Sequence, residues 1–331
     1  MPESRCTLYS RLSLSEHQSP LSFSLMNYRN NLFISNSIND LFSFYESFPD
    51  LASLINWMKE RPRATTSIFE FDGRKDIIVV IPTADINSEL AKSCRNSVFQ
   101  GLHIIFVESG FPRDDYFNYA HSCNVGIEHA LHYDPKWIVI SNDDVERIDD
   151  VSKLIEELDD NHERDQVIWT NDNEVFTHKF YVAKSTFFLS SLMKLSPILR
   201  KFIKCRKIET LYFLEKYKIH FNPQYSRPYD RPNSGLLYRT VEIHRVAGSF
   251  AIYNSDLIRS LGNKLFDETF INGFEDSWLG IQLDEKEIKC GKIDYRIKPI
   301  GGSSLGKGYL RYLRDYVNLA LYNYYKTVKN A

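Results

Sequence analysis

Residues Ile138 to Glu146, IVISNDDVE, run three aliphatic side chains into Asn142, Asp143 and Asp144, with Glu146 two residues further on. Carboxylates crowded at one point repel. A hard divalent cation, held by one or two of them together with oxygens of a bound phosphate, resolves that repulsion. Such a group suits chemistry on a phosphate ester, because the ion stabilises the charge that builds on a leaving phosphate. A helix start offers a second account. Asp149 and Asp150 precede a helical pattern, and acids favour the positive end of a helix. Spacing alone leaves both accounts open.

The elements that would position these acids are legible around them. Ile77 to Ile81, Ile104 to Val107, Trp137 to Ile140 and Val167 to Trp169 are short aliphatic runs, the pattern of strands buried on both faces of a parallel sheet. Helical periodicity fills the gaps, over 88–99, 117–132 and 151–158. The alternation predicts an α/β fold of Rossmann-like character, with a mostly parallel sheet and helices on both faces. In such sheets ligands bind beyond the carboxyl ends of the strands, which is where the acids of IVISNDDVE fall. The turn after the first strand, Pro82-Thr-Ala-Asp-Ile-Asn87, holds no GxGxxG, so a dinucleotide bound in the usual way is not expected.

Outside this alternation, residues 1–75 read as an N-terminal extension with a helical piece, Leu51 to Met58, broken by Pro62. Residues 76–308 read as the main domain, interrupted over about 175–245 by a basic and aromatic insertion expected to be helical. Residues 309–331 read as a C-terminal amphipathic helix, with Leu310, Leu313, Val317, Ala320, Leu321 and Tyr324 on one face. That face is expected to pack on the core.

The chain has 331 residues and a net charge of -2, with acids and bases mixed along it, so nucleic acid is not an expected partner. Its five cysteines are scattered, with no CxxC pair, and suggest neither a zinc site nor a disulfide framework. Neither a signal peptide nor a run of apolar residues long enough to span a membrane is read, and a cytoplasmic protein is expected.

Seven short motifs follow one another in a fixed order: Ile78-Val-Val-Ile-Pro-Thr83, Phe106-Val-Glu-Ser-Gly110, Asn124-Val-Gly-Ile-Glu-His-Ala130, Ser141-Asn-Asp-Asp-Val145, Gly248-Ser-Phe-Ala-Ile252, Phe266-Asp-Glu-Thr-Phe270 and Gly273-Phe-Glu-Asp276. Over about 76–305 this order resembles the inverting family 2 glycosyltransferases of GT-A fold. The resemblance implies that Pro82 and Thr83 lie against the base of a nucleoside diphosphate sugar, the donor, and that Glu108 binds its base or ribose. It implies that Asn142-Asp143-Asp144 is the DxD-type motif, with Asp144 as ligand of Mg²⁺ or Mn²⁺ and Asn142 or Asp143 facing the donor. It implies that Asp276, with Glu275 beside it, is the general base. Three positions differ from the family's pattern: 298–304 holds no His, Gln282 stands where Arg is common, and Ala84-Asp-Ile86 replaces the usual Tyr-Asn-Arg.

Two further stretches have surface chemistry. Phe187 to Ile208 carries six Lys or Arg and no acid among large apolar residues, which suits either an anionic membrane surface or a helical hairpin on the core. Gly301, Gly302, Gly306 and Gly308 suit a mobile flap or a plain loop. An Arg-x-x-Arg-Asp-x-x-Asn run from Arg311 resembles that of rhamnosyltransferase-like relatives. The reading is thus a metal-dependent inverting sugar transferase acting on a glycan or lipid-linked acceptor, peripheral on the cytosolic membrane face. Two alternatives stand beside it: a nucleotidyltransferase that makes the nucleotide sugar, and a catalytically inactive binding or scaffold protein on the same fold.

Overall fold

The aliphatic runs become strands because only a sheet covered on both faces buries every one of their side chains. In this computed structural model Ile77 to Ile81 and Ile104 to Val107 are at most 1% exposed. The structure describes residues 20–35, 37–110, 115–160, 165–170, 176–183, 227–229, 238–245, 250–300, 313–314, 317–322 and 324–325. The stretches 187–208 and 301–308 lie outside them.

Three helices come first, α1 (Pro20–Ile34), α2 (Ile38–Glu46) and α3 (Leu51–Glu60). The alternating part follows: β1 (Ser67–Phe71), β2 (Arg74–Thr83), α4 (Glu89–Ser93), β3 (Leu102–Glu108), α5 (Tyr119–Ala130), β4 (Trp137–Ser141), β5 (Val145–Arg147), α6 (Val151–Asp160) and β6 (Val167–Thr170). Next come β7 (Phe176–Ala183), β8 (Arg227–Tyr229), β9 (Tyr238–Arg245), β10 (Phe250–Asn254), α7 (Ser255–Ser260), α8 (Glu275–Glu285), β11 (Cys290–Ile293) and β12 (Ile297–Pro299). Local signals fix several starts. Ser88 caps α4 by accepting from Ala91 N–H, Asn118 caps α5 by accepting from His121 N–H, and Asp50 with Ser53 forms a capping box on α3. The helix expected over 88–99 is interrupted, since α4 gives way to a π turn over Cys94–Val98.

The fold is α/β, with a seven-stranded sheet in the order β1-β3-β2-β4-β10-β6-β11. It is mixed. β2 is parallel to β3 and β4, and β6 to β11, whereas β1 runs against β3 and β10 runs against both β4 and β6. A simple succession of parallel strands would have set β6 beside β4; β10, arriving after the insertion, takes that place instead. It does so because its own residues, Phe250, Ala251 and Ile252, are apolar on both faces and 2% exposed or less.

One face of the sheet is covered by α4 and α6, the other by α5, α7 and α8. Helix α5 lies close on its face because Gly126 has no side chain: a Cβ there would stand 2.3 Å from Val80 Cγ1 and 2.9 Å from Val107 Cγ2. A third core forms on the outer side of α8, where Phe274 and Trp278 meet Phe33, Phe44, Phe48 and Trp57 from the N-terminal helices. Leu313, Val317, Ala320 and Leu321 are buried in that core, as their common face predicts. The stretch read as an N-terminal extension thus shares a core with the C-terminal helical residues, and it supplies edge strand β1 to the main sheet.

Within the insertion the described residues are strands: β7, β9 and β8 form a three-stranded antiparallel sheet, and β9 lies against α8. The expectation of helix is not met there. Alternation of polar and apolar residues in Thr240-Val-Glu-Ile-His244 is the period-two signal that explains it for β9. Among the described residues no helix is long and apolar enough to cross a membrane.

Candidate functional site

Chain order and strand order part company at β2. The chain steps from β2 to β3 on one side and then to β4 on the other, which makes the carboxyl end of β2 a topological switch point and opens a crevice above it. Register decides what stands there. Thr83 pairs with Glu108 across β2 and β3, while the ladder between β2 and β4 ends at Val80 opposite Ile140. Pro82, buried and lacking an N–H, cannot extend that ladder. Thr83 and Asp143 stand the same distance beyond it, and a side chain joins them: Thr83 Oγ1 donates to Asp143 Oδ2 at 2.8 Å.

The rest of the crevice is polar. Glu108 Oε2 accepts from Ile86 N–H at 2.8 Å, tying the end of β3 to the turn after β2. That turn carries its own acid, Asp85, whose Oδ1 accepts from Asn87 N–H at 2.8 Å. Burial holds the Asp143 carboxyl above the usual range, and the charge of Asp144 adds to the rise against the pull of Thr83. Asp144 is raised as well, again by burial, with a hydrogen bond to Asn142 opposing. Beneath them the Cys94 thiol lies 3.4 Å from the Asp143 carbonyl and is pushed up to about 12, first by burial and then by the two carboxylates. It is a packed neutral thiol and no nucleophile.

The structure sorts the acids of this region. Glu146 leaves the crevice to meet Lys298 at 3.0 Å across the β5–β12 pair. Asp149 pairs with Arg296 and Lys153, which hold its carboxyl down at about 2. Asp150 accepts from Ser152 N–H at 3.0 Å at the start of α6. The helix-start account therefore holds for Asp150, while Asp149 is taken up by ion pairs with Arg296 and Lys153. It leaves Asp143 and Asp144 at the crevice. The same β5–β12 pairing brings the stretch after Ile297 beside them, with Ile300 N–H donating to the Asp144 carbonyl at 2.8 Å.

Glu275 and Asp276 form a second group, at the N-terminus of α8 on the α5 face of the sheet. They are 7% and 5% exposed. Glu275 Oε2 accepts from Gly273 N–H at 2.6 Å, and Asp276 Oδ1 from Ser277 N–H at 2.7 Å. Their charges are felt nearby: burial raises the Tyr253 hydroxyl and Asp276 adds to the rise, and burial likewise raises Tyr119, with Cys123 and then Glu275 adding. Asn272 and Phe274 just before the helix take positive φ, 52° and 70°, so the turn is held from outside.

What holds it is a set of asparagines that composition and periodicity did not single out as functional. Asn118 Nδ2 donates to the Glu268 and Phe270 carbonyls at 3.0 and 2.7 Å, while Asn124 Nδ2 donates to the Phe266 carbonyl at 2.8 Å. Asn272 accepts from Tyr119 N–H, and Asn318 both donates to and accepts from the Ile271 peptide. Asn124 belongs to a motif visible in the sequence, but its partners lie more than a hundred positions away.

Among the described residues no group of three or more His, Cys, Asp or Glu is placed to hold a metal ion. Asp143 and Asp144 fit a different arrangement, in which Mg²⁺ or Mn²⁺ takes one or two carboxylates and completes its shell with diphosphate and water. No protein-family model matches the chain, and no curated protein matches it.

Proposed function

We propose that the chain transfers a sugar from a nucleoside diphosphate sugar to a glycan or lipid-linked acceptor, on the GT-A form of its α/β fold. The observation that carries this reading is the meeting of Thr83, Glu108, Asn142, Asp143 and Asp144 at the switch-point crevice. Pro82, Thr83 and Glu108 on β2 and β3 face the nucleoside. Asn142 and Asp143 face the donor from the end of β4. Asp144 would hold the divalent ion, which supplies Lewis-acid stabilisation of the diphosphate when bound.

Asp276 is the general base. Its carboxylate accepts the acceptor hydroxyl proton as that oxygen bonds to the anomeric carbon, the bond from that carbon to the diphosphate breaks, and configuration inverts. Glu275, bonded to Gly273, fixes the turn from which Asp276 projects. The β7–β9–β8 sheet beside α8 gives the acceptor a wall on that side. A lipid-linked acceptor would place the protein on the cytosolic face of a membrane.

A nucleotidyltransferase needs a basic, Gly-rich first turn to cradle a triphosphate, whereas this turn carries Asp85 folded back on Asn87 N–H. A binding protein without transfer activity is separated by experiment. In a panel of nucleotide sugars, one donor should raise the melting temperature only with Mn²⁺ or Mg²⁺ and should turn over. Asp144→Ala should abolish the metal-dependent part of that rise. Donor affinity unchanged in this variant would refute the assignment of Asp144.

A further inference from the structure

Away from the crevice, a cavity of about 410 Å³ lies between the C-terminal end of α3 and the connection from α7 to α8. Lys59, Arg61, Arg63 and Lys264 line it, against Asp267 and Glu268. Four cations thus face two carboxylates. The Glu268 carboxylate is already engaged by His121, Asn124 and Lys264.

The two arginines are the unusual members. Arg61 is 2% exposed, and its Nη2 donates to the Asp115 carbonyl at 2.6 Å. Its Nε and Nη1 have no hydrogen-bond partner among the described residues. The rings of Phe33 and Tyr116 stand 5.3 and 5.0 Å from its guanidinium carbon and fix the side chain in place. Among the described residues Arg63 donates only to carbonyls, those of Arg61, Pro62, Met58 and Glu268, and its Nε is likewise without a partner there. Neither arginine forms an ion pair among the described residues. A buried guanidinium with donors unfilled is a costly state that an anion relieves, and the planar five-donor head matches phosphate oxygens.

We propose that this cavity binds a phosphate monoester, with Arg61 as a buried donor, Arg63 as a half-buried one, and Lys59 and Lys264 at the rim. The excess of two positive charges matches a dianionic phosphate, and the volume falls in the range of about 300 to 1,000 Å³ typical of small-ligand sites. Burial pulls Arg61 down to about 10, and the neighbouring charges of Arg63 and Arg314 add to the fall. Because Arg63 Nη2 donates to the Glu268 carbonyl at 2.5 Å, the ligand would touch the connection that leads to Glu275 and Asp276. The inference stands on the cavity and its arginines, and does not depend on sugar transfer.

The test is calorimetric titration of the 331-residue chain with glycerol 3-phosphate, alongside co-sedimentation with phosphatidylcholine vesicles containing or lacking phosphatidic acid. Saturable binding at one site is expected, weakened about 10-fold in Lys59→Gln/Lys264→Gln and lost in Arg61→Gln. Both lysines are exposed, so the double variant keeps its fold even if Arg61→Gln, which loses the packing on Phe33 and Tyr116, does not. Binding of the soluble ester that the lysine variant weakens supports a free metabolite as ligand. Binding only to phosphatidic acid vesicles, weakened in the same variant, supports a lipid headgroup. Binding of neither, or binding equal in wild type and the lysine variant, overturns the proposal.

Discussion

Glu268→Gln tests the connection that carries the proposed base. Burial alone would raise the Glu268 carboxyl, but hydrogen bonds from His121, Asn124 and Lys264, with the charge on His121, outweigh it and hold the group at about 2. Against an ordinary Glu near 4.5, a depression of that size is worth about 3 kcal/mol of folding stability. The folded pKa is the lower of the two, so this stability is present above the unfolded pKa and is lost as pH falls toward the folded value. Gln has the shape of the protonated acid: its carbonyl can still accept from Asn124 and Lys264, but it carries no charge and puts an NH₂ where the second carboxylate oxygen met His121, so the variant should be less stable by about 3 kcal/mol at pH ~7. The gap should narrow by about 1 kcal/mol at pH ~3.5 and nearly close by pH ~2. Urea unfolding of both proteins across that range measures it, and subtracting the two curves removes the titrating groups that do not interact with Glu268. A gap that stays constant from pH ~7 to ~3.5 would refute the claim that the charged carboxylate clamps this connection.

Asp276→Asn keeps the shape of the side chain but cannot take up a proton at neutral pH, so kcat should fall by about 10²-fold or more while donor affinity stays near wild type. Steady-state kinetics with a working donor and acceptor decides this, and near-normal turnover would remove Asp276 from the base role. Gly126→Ala places a methyl 2.3 Å from Val80 Cγ1, and the overpacking should cost about 1 to 3 kcal/mol, offset by up to about 1 kcal/mol of helix propensity. Thermal unfolding should show the loss; a variant more stable than wild type would mean that α5 moves off the sheet freely.

Strands β2, β3, β4 and β6 of the central sheet and helices α3, α5 and α6 were legible in the sequence because their signals are local. An aliphatic run that must be covered on both faces, a Ser or Asn that accepts from the third residue on, and a Pro that ends a helix all act within a few residues. The position of Asp143 and Asp144 at a strand end was legible for the same reason. Which of the nearby acids stayed there was not, since Glu146, Asp149 and Asp150 are drawn away by Lys298, Arg296 and a helix start. Lys298 and Arg296 lie some 150 residues downstream.

Tertiary structure alone decided the rest. The insertion of β10 between β4 and β6 depends on a chain that returns after the whole insertion, and no local pattern encodes which edge it will join. The turn before Glu275 takes positive φ at Asn272 and Phe274 because Asn118, Asn124, Asn272 and Asn318 bond to backbone or neighbouring groups brought close only by packing. Arg61 and Arg63 are two charges that flank Pro62 in the sequence; Arg61 is buried, and Arg63 half-buried, only because α3 meets the connection to α8. Sequence determines which residues seek burial and which begin or end an element. Desolvation and long-range partners, which exist only in the folded chain, decide which polar groups are left with something still to bind.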